Sequence, residues 1–153
     1  MNPILGTTTI IQIGFVVKDI EATKKKFAQF FGMEEPPPTI GAGEYENTKT
    51  TYLGQPAPKA NVLMAFFDLG NTQLELLQPN GQPSAWQDHL DKHGEGFHHI
   101  AFHVKNTDEK IKTCENFGMK CIQRGKYGDG SGEYTYLDAM GSLKCLVELL
   151  ESY

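Results

Sequence analysis

The chain has 153 residues, of which 39% are apolar and 10% aromatic, and a net charge of −5. That suffices for one domain with a sizeable core, and no apolar run approaches the length that spans a membrane. The acidic balance and the single arginine, Arg124, argue against a nucleic-acid partner, because phosphate backbones are held by clustered cations.

The N-terminus, Met1 to Gly6, lacks the charged start and long apolar run of a signal peptide, so a cytoplasmic protein is expected. The three cysteines, Cys114, Cys121 and Cys145, read as reduced thiols used as small buried hydrophobes. Residues 8–17 are rich in β-branched side chains and predict a first strand. Asp19 is placed to cap a helix whose apolar positions are Ile20, Phe27, Phe30 and Phe31 and which stops at Gly32. Lys24, Lys25 and Lys26 read as its solvated face. The segment from Glu34 to Ala60 holds five of the eight prolines and predicts an irregular flap. Strands follow at 62–67 and 74–77, then a short linking helix from Pro83 to His93, with His89 and His93 on its solvated face. A strand over 96–104 carries His98, His99 and His103. Asn106, with Glu109 three residues on, resembles a capping box for a helix whose buried stripe is Ile111, Cys114 and Phe117, ended by Gly118. Strands are predicted over 119–125, 133–138 and 143–150. The glycine-rich stretch Gly125 to Gly132 reads as a hairpin loop between the first two, with a phosphate cradle of backbone N–H groups over Gly128 to Gly132 as the alternative.

The chain repeats itself. Gln12 lies seven residues before Asp19, and His99 lies seven before Asn106. Phe31-Gly32-Met33 recurs as Phe117-Gly118-Met119, and Leu74-Glu75-Leu76-Leu77 is matched by Val147-Glu148-Leu149-Leu150. Each copy reads strand, helix, then three strands, giving one domain over 8–153 made of modules 8–79 and 96–151.

In each copy one polar residue interrupts the first strand and one carboxylate interrupts the last. Side chains alternate between strand faces. Gln12, Glu75, His99 and Glu148 therefore point away from the helix-covered faces, into whatever the halves enclose. Carboxylates there are expensive to bury unless paired or bound to metal. A divalent cation resolves that cost, since it accepts carboxylate, imidazole and amide oxygen.

Three stretches carry a resemblance to a known family. They are Ile11 to Ile20, Leu69 to Pro79, and Gly96-Phe97-His98-His99-Ile100-Ala101 together with Leu146-Val147-Glu148-Leu149. With them the chain resembles the vicinal oxygen chelate superfamily, nearest its methylmalonyl-CoA epimerase and glyoxalase I branch. The resemblance implies an α+β fold of tandem βαβββ modules whose curved mixed sheets form a metal-binding cup. It places the metal ligands at Gln12, Glu75, His99 and Glu148. The first position is usually histidine in the family, so Gln12 makes the site more oxygen-rich and shifts preference toward Mn²⁺ or Mg²⁺ within the set Mn, Mg, Co, Ni and Zn. The family's epimerases can carry a further carboxylate on the strand before Leu69-Gly70-Asn71-Thr72, and Val62 to Phe67 has none. The resemblance implies a lyase or isomerase that moves a proton next to a metal-polarised carbonyl of a small oxo or hydroxy acid or thioester, with Glu148 or Glu75 as the proton carrier. The alternative is a resistance-type protein that binds a small molecule without turnover. Arg124, Lys126 and Tyr136 are candidate substrate contacts. A homodimer is expected, with no membrane partner.

Overall fold

The computed structural model describes all 153 residues as ten strands in one mixed, curled sheet with four helices. The strands are β1 (Gln12–Val16), β2 (Ile40–Gly41), β3 (Thr51–Tyr52), β4 (Gln55–Pro56), β5 (Val62–Asp68), β6 (Gln73–Pro79), β7 (Gly96–His103), β8 (Lys120–Lys126), β9 (Gly132–Ala139) and β10 (Cys145–Ser152). The helices are α1 (Ile20–Phe30), α2 (Tyr45–Thr48), α3 (Ala85–His93) and α4 (Thr107–Asn116). Their order across the sheet is β2-β5-β6-β1-β7-β10-β9-β8-β3-β4. β1 and β7 pair antiparallel at the centre, and each is flanked on its outer side by a parallel strand, β6 and β10. The two halves thus run in the same internal order outward from the centre, and the sheet curls into a half-barrel.

The repeat visible in the sequence therefore appears as matching strand orders. The match fails where the first half has its long connection. Its second strand shrinks to β2, only two residues long, where the second half has the seven-residue β8. The predicted flap is instead ordered into β2, α2 and the β3–β4 hairpin, and the hairpin pairs with β8, the outer strand of the other half.

Two apolar cores lie under the helices on the convex side. Val17, Ile20, Ala28, Phe67 and Leu76 pack beneath α1, and Val104, Ile111, Cys114, Leu137 and Leu149 beneath α4. A third joins Ala85 and Trp86 of α3 to Leu77, Tyr134 and Tyr136 on the concave side. No helix is long and apolar enough to cross a membrane.

Several local expectations are corrected. The first strand begins at Gln12, because residues 8–11 form no strand. Phe30 is 83% exposed and Phe117 51%, since each falls at the end of its helix, where the apolar stripe has turned away from the sheet. Lys24 leaves the solvated face: its stem is buried along the helix while Nζ meets Thr39 Oγ1 at 2.7 Å and Glu21 at 3.0 Å. His89 is buried as well, with Nε2–H donating to the Phe97 carbonyl at 3.0 Å. Cys121 is only half-buried.

Asp19 caps α1 as expected, accepting from the Ala22 amide at 3.0 Å. Asn106 does not cap α4. It sits in the left-handed region at φ 60 with no capping bond, and Glu151 from β10 takes over by accepting from the Asn106 and Thr107 amides at 3.0 and 2.9 Å. The capping carboxylate is supplied from across the sheet, beyond the reach of local spacing. Asp19→Ala is expected to cost about 1 kcal/mol, whereas Asn106→Gly should cost nothing, glycine being at ease at positive φ. The hydrogen bonds at the α4 terminus hold the Glu151 carboxyl below its ordinary range. A lowered folded pKa means that its stabilisation is present above the unfolded carboxylate pKa and is lost as pH falls through the folded one. Urea unfolding of wild type and Glu151→Gln should therefore diverge near neutral pH and converge in acid.

Candidate metal and substrate site

Four adjacent strands, β6, β1, β7 and β10, each contribute one side chain to the concave face. The parallel register of β1 with β6 sets Gly14 opposite Glu75 and Gln12 opposite Gln73. The antiparallel register of β1 with β7 sets Gly14 opposite His99. β10 sets Glu148 opposite Ala101, two residues along the same face from His99. Glu75, His99 and Glu148 thereby hold their ligand atoms within 4.8 Å of one another. Gln12, predicted as the fourth member, joins them, with Oε1 2.9 Å from His99 Nε2. All four come from one chain, and all are buried: His99 fully, Gln12 and Glu148 4% exposed, Glu75 5%.

Two features of β7 that alternation did not reveal make this possible. The first is the contact with Gly14. A Cβ at residue 14 would lie 2.1 Å from His99 Cε1, so the imidazole lies over a strand position that only glycine can occupy. The second is a β-bulge. Gly14 pairs with His99 but Phe15 pairs with Phe97, which leaves His98 as an extra residue in β7. Bulges bend a strand and re-aim its side chains. Here His98 and His99 both meet the Tyr136 ring, at 5.2 and 5.3 Å between centroids, so neighbouring residues face the same side. The paired histidines were the only signal in the sequence.

The hydrogen bonds fix where the lone pairs point. His98 Nε2 lies 3.1 Å from the Ala85 carbonyl, which can only accept, so Nε2 carries the proton and Nδ1 is bare. His99 Nδ1 lies 2.9 Å from that bare Nδ1 and must donate to it. His99 Nε2 is therefore a free lone pair. The Gln12 amide nitrogen donates to Gln73 Oε1 at 2.6 Å, which turns its Oε1 to His99. Glu148 Oε2 lies 3.0 Å from His99 Nε2 yet has no donor. With Glu148 ionised, three acceptors thus converge, and only a proton or a cation between them relieves the repulsion. Burial holds His99 down to about 3, so an ion pair with Glu148 does not form at neutral pH. Burial raises Glu148 to about 8, a bond from Tyr136 partly opposing it. Glu75 is raised well above its ordinary value, by burial first and then by Glu148. The donor set of one imidazole nitrogen and three oxygens fits a divalent cation.

The cup above these residues is a cavity of about 660 Å³. Its apolar wall is built by Met64 and Phe66 of β5, Leu77, Trp86 and Leu150. β5 thus offers the cup no carboxylate. At the mouth stand Lys126, Tyr127 and Asp129, and there the loop at Gly43 touches Gly128 of the other half, where a Cβ on residue 43 would fall 2.9 Å from the Gly128 Cα. Of the predicted substrate contacts, Lys126 and Tyr136 line the cup. Arg124 does not: it pairs with Asp108 at 2.9 Å and Glu133 at 3.2 Å, on the α4 side of β8. A bulge at Ile122 accounts for this by turning its neighbour Gln123 inward, where that amide is buried and bonded to Tyr134.

The description of the glyoxalase/bleomycin resistance protein/dioxygenase superfamily matches residues 11–136. The ethylmalonyl-CoA/methylmalonyl-CoA epimerase of Cereibacter sphaeroides is 31% identical over 113 residues, covering 71% of this chain and 84% of that protein. The mitochondrial methylmalonyl-CoA epimerase of Bos taurus is 37% identical over 109 residues, covering 69% and 62%. Among solved structures, a Streptomyces coelicolor methylmalonyl-CoA epimerase variant in complex with 2-nitronate-propionyl-CoA superposes with a TM-score of 0.64 at 24% identity, over 95% of this chain and 97% of that one.

Gly14→Ala tests the close approach on which the site depends. Because the new methyl overlaps the imidazole, the variant should lose about 1–3 kcal/mol of stability, and His99 should be displaced. Urea unfolding and a crystal structure of the variant would show both; an unshifted ring at full stability would contradict the geometry.

Proposed function

The chain belongs to the glyoxalase/bleomycin resistance protein/dioxygenase superfamily, and from that premise we propose that it is a divalent-metal-dependent isomerase of the epimerase type. The observation that carries this reading is the convergence of the His99 lone pair, Gln12 Oε1 and the donorless Glu148 Oε2 at the floor of an apolar cup. Gln12, Glu75, His99 and Glu148 would hold the cation, which when bound supplies Lewis-acid polarisation of a substrate carbonyl.

The chain's own groups supply the rest. Met64, Phe66, Leu77 and Leu150 take the acyl portion and keep water from the reacting carbon. Lys126 at the mouth meets a carboxylate or phosphate on the outer part of the substrate. Glu148 or Glu75 takes the proton from the carbon next to the carbonyl: that C–H bond breaks, an O–H bond forms on the carboxylate, and the electron pair moves toward the carbonyl oxygen. Returning the proton to the opposite face of the carbon completes an epimerisation. A carboxylate raised toward neutrality by burial can serve in both directions. The substrate class suggested by the relatives is an acyl-CoA thioester with an acidic C–H beside its carbonyl, such as a substituted malonyl-CoA.

Met64 and Phe66 on β5 support a second reading, because they leave that strand with no acid/base group facing the cup. On that reading the cup binds a small molecule without turnover. Exchange of the α-hydrogen of methylmalonyl-CoA or ethylmalonyl-CoA in D₂O separates the two. The wild type with Mn²⁺ or Co²⁺ should wash deuterium into that position, and Glu148→Ala should be slower by roughly 10²–10⁴-fold. Binding of these thioesters without exchange would favour the second reading.

Metal binding is expected to depend on pH with a definite sign. A carboxyl whose folded pKa is raised, here Glu148 to about 8, stabilises the metal-free fold at low pH and loses that contribution as pH rises through the folded value. A cation takes the ionised form and displaces the proton. The Kd for Mn²⁺ should therefore tighten by up to roughly tenfold per pH unit between the ordinary carboxylate range and about 8. Calorimetric titrations in buffers of different ionisation enthalpy would count the released protons; a flat pH profile would contradict the assignment of Glu148.

A further inference from the structure

We propose that the first turn of α3 orients two of the four ligands through two hydrogen-bond relays, Ala85–His98–His99 and Trp86–Tyr136–Glu148, making His98 and Tyr136 positioning residues. The consequence for metal affinity rests on the cation-binding reading above; the relays themselves do not.

The first relay starts at the Ala85 carbonyl. It can only accept, so it fixes the proton of the fully buried His98 on Nε2. The bare His98 Nδ1 then selects the Nδ1–H tautomer of His99 and leaves His99 Nε2 as an acceptor facing Gln12 and Glu148. Were the His98 proton on Nδ1, the two rings would oppose each other N–H to N–H, or His99 would carry its proton where a ligand lone pair is needed. The bulge in β7 allows the relay to exist, because strict alternation would put His98 on the other face of the sheet.

The second relay starts one residue later. Trp86 Nε1–H donates to the Tyr136 hydroxyl at 3.0 Å. An indole N–H can only donate, so the Tyr136 oxygen is used as acceptor and its own proton is left free for Glu148, its direct cross-strand partner between β9 and β10. Oε2 of that carboxylate has no donor and faces His99.

Both relays need α3 to be rigid at its start, and the sequence provides for it. Ser84 caps the helix by accepting from the Gln87 amide at 3.0 Å, and the Ala85 amide donates to Gln123 Oε1 at 2.7 Å. Gln123 is itself tied to Tyr134 at 3.1 Å. The helix joining the two halves is thus pinned to β8 and β9 of the second half while packing on β6 and β1 of the first. Second partners of this kind typically change metal affinity by roughly 10–100-fold when removed.

The tautomers are read directly from metal-free protein labelled with ¹⁵N-histidine. Long-range ¹⁵N–¹H correlations near neutral pH should show His98 protonated on Nε2 and His99 on Nδ1. The reverse pattern for His99 in the wild type would overturn the first relay, whether or not metal binds. Metal affinity is then measured by competition titration with Mn²⁺ and Co²⁺. His98→Leu removes the acceptor and should weaken both ions by at least roughly tenfold. His98→Asn retains an acceptor oxygen near the Nδ1 position and should recover most of that loss. Tyr136→Phe should weaken both ions by several-fold and leave the His99 tautomer unchanged. Equal affinities for wild type and a folded His98→Leu would overturn the proposal, as would failure of Asn to do better than Leu. A wild type that binds neither ion would sink the cation reading, and the tautomer pattern would still decide the first relay.

Discussion

The arrangement of the whole molecule follows from burying two carboxylates in one apolar cup. Glu75 and Glu148 are each about 95% removed from water, and isolated charges in such a place are strongly disfavoured. In the metal-free protein the strain is relieved by protonation, which is why both carboxyls titrate above their ordinary range. A divalent cation, if bound as proposed, would relieve it more fully. The central pairing of β1 with β7, flanked by parallel β6 and β10, sets Gln12, Glu75, His99 and Glu148 on neighbouring strands. The two outer cores under α1 and α4 then serve as rigid backing, so the sheet presents its polar interruptions inward and its apolar positions outward.

Much of this was legible in the sequence, for a physical reason. Strands have a period of two, so a polar residue inside an apolar run announces the face it occupies, and the repeat supplied pairs of such residues at corresponding places. Gln12, Glu75, His99 and Glu148 were found in that way, and the structure brings all four together. What alternation could not give were departures from it. The bulge at His98 reverses one side chain, and the bulge at Ile122 exchanges the roles of Gln123 and Arg124, turning a predicted substrate contact outward into ion pairs. Contacts over long sequence distances were equally hidden. The α4 cap from Glu151 and the space for His99 above Gly14 depend on tertiary neighbours that no local window contains.

The linking segment between the halves illustrates how connection and chemistry become joined. A helix from 85 to 93 could have been a simple spacer on the surface. Instead its first turn enters the concave side, contributes Trp86 to the cup wall and anchors the chain of hydrogen bonds behind the ligands. Its later turns carry His89, buried against the carbonyl of Phe97 in β7. The two halves therefore share a floor as well as a sheet.

The outer margins of the sheet carry a consequence of their own. β8, a long strand that would otherwise lie open, is covered by the β3–β4 hairpin sent across from the first half. The sheet then ends in β2 on one side and β4 on the other, each two residues long, with Pro56 in β4. Margins this short, one of them bearing Pro56, offer few free amides to template a further strand. Growth by strand addition, the route to fibrils and to edge-swapped aggregates, finds little template in either outermost strand.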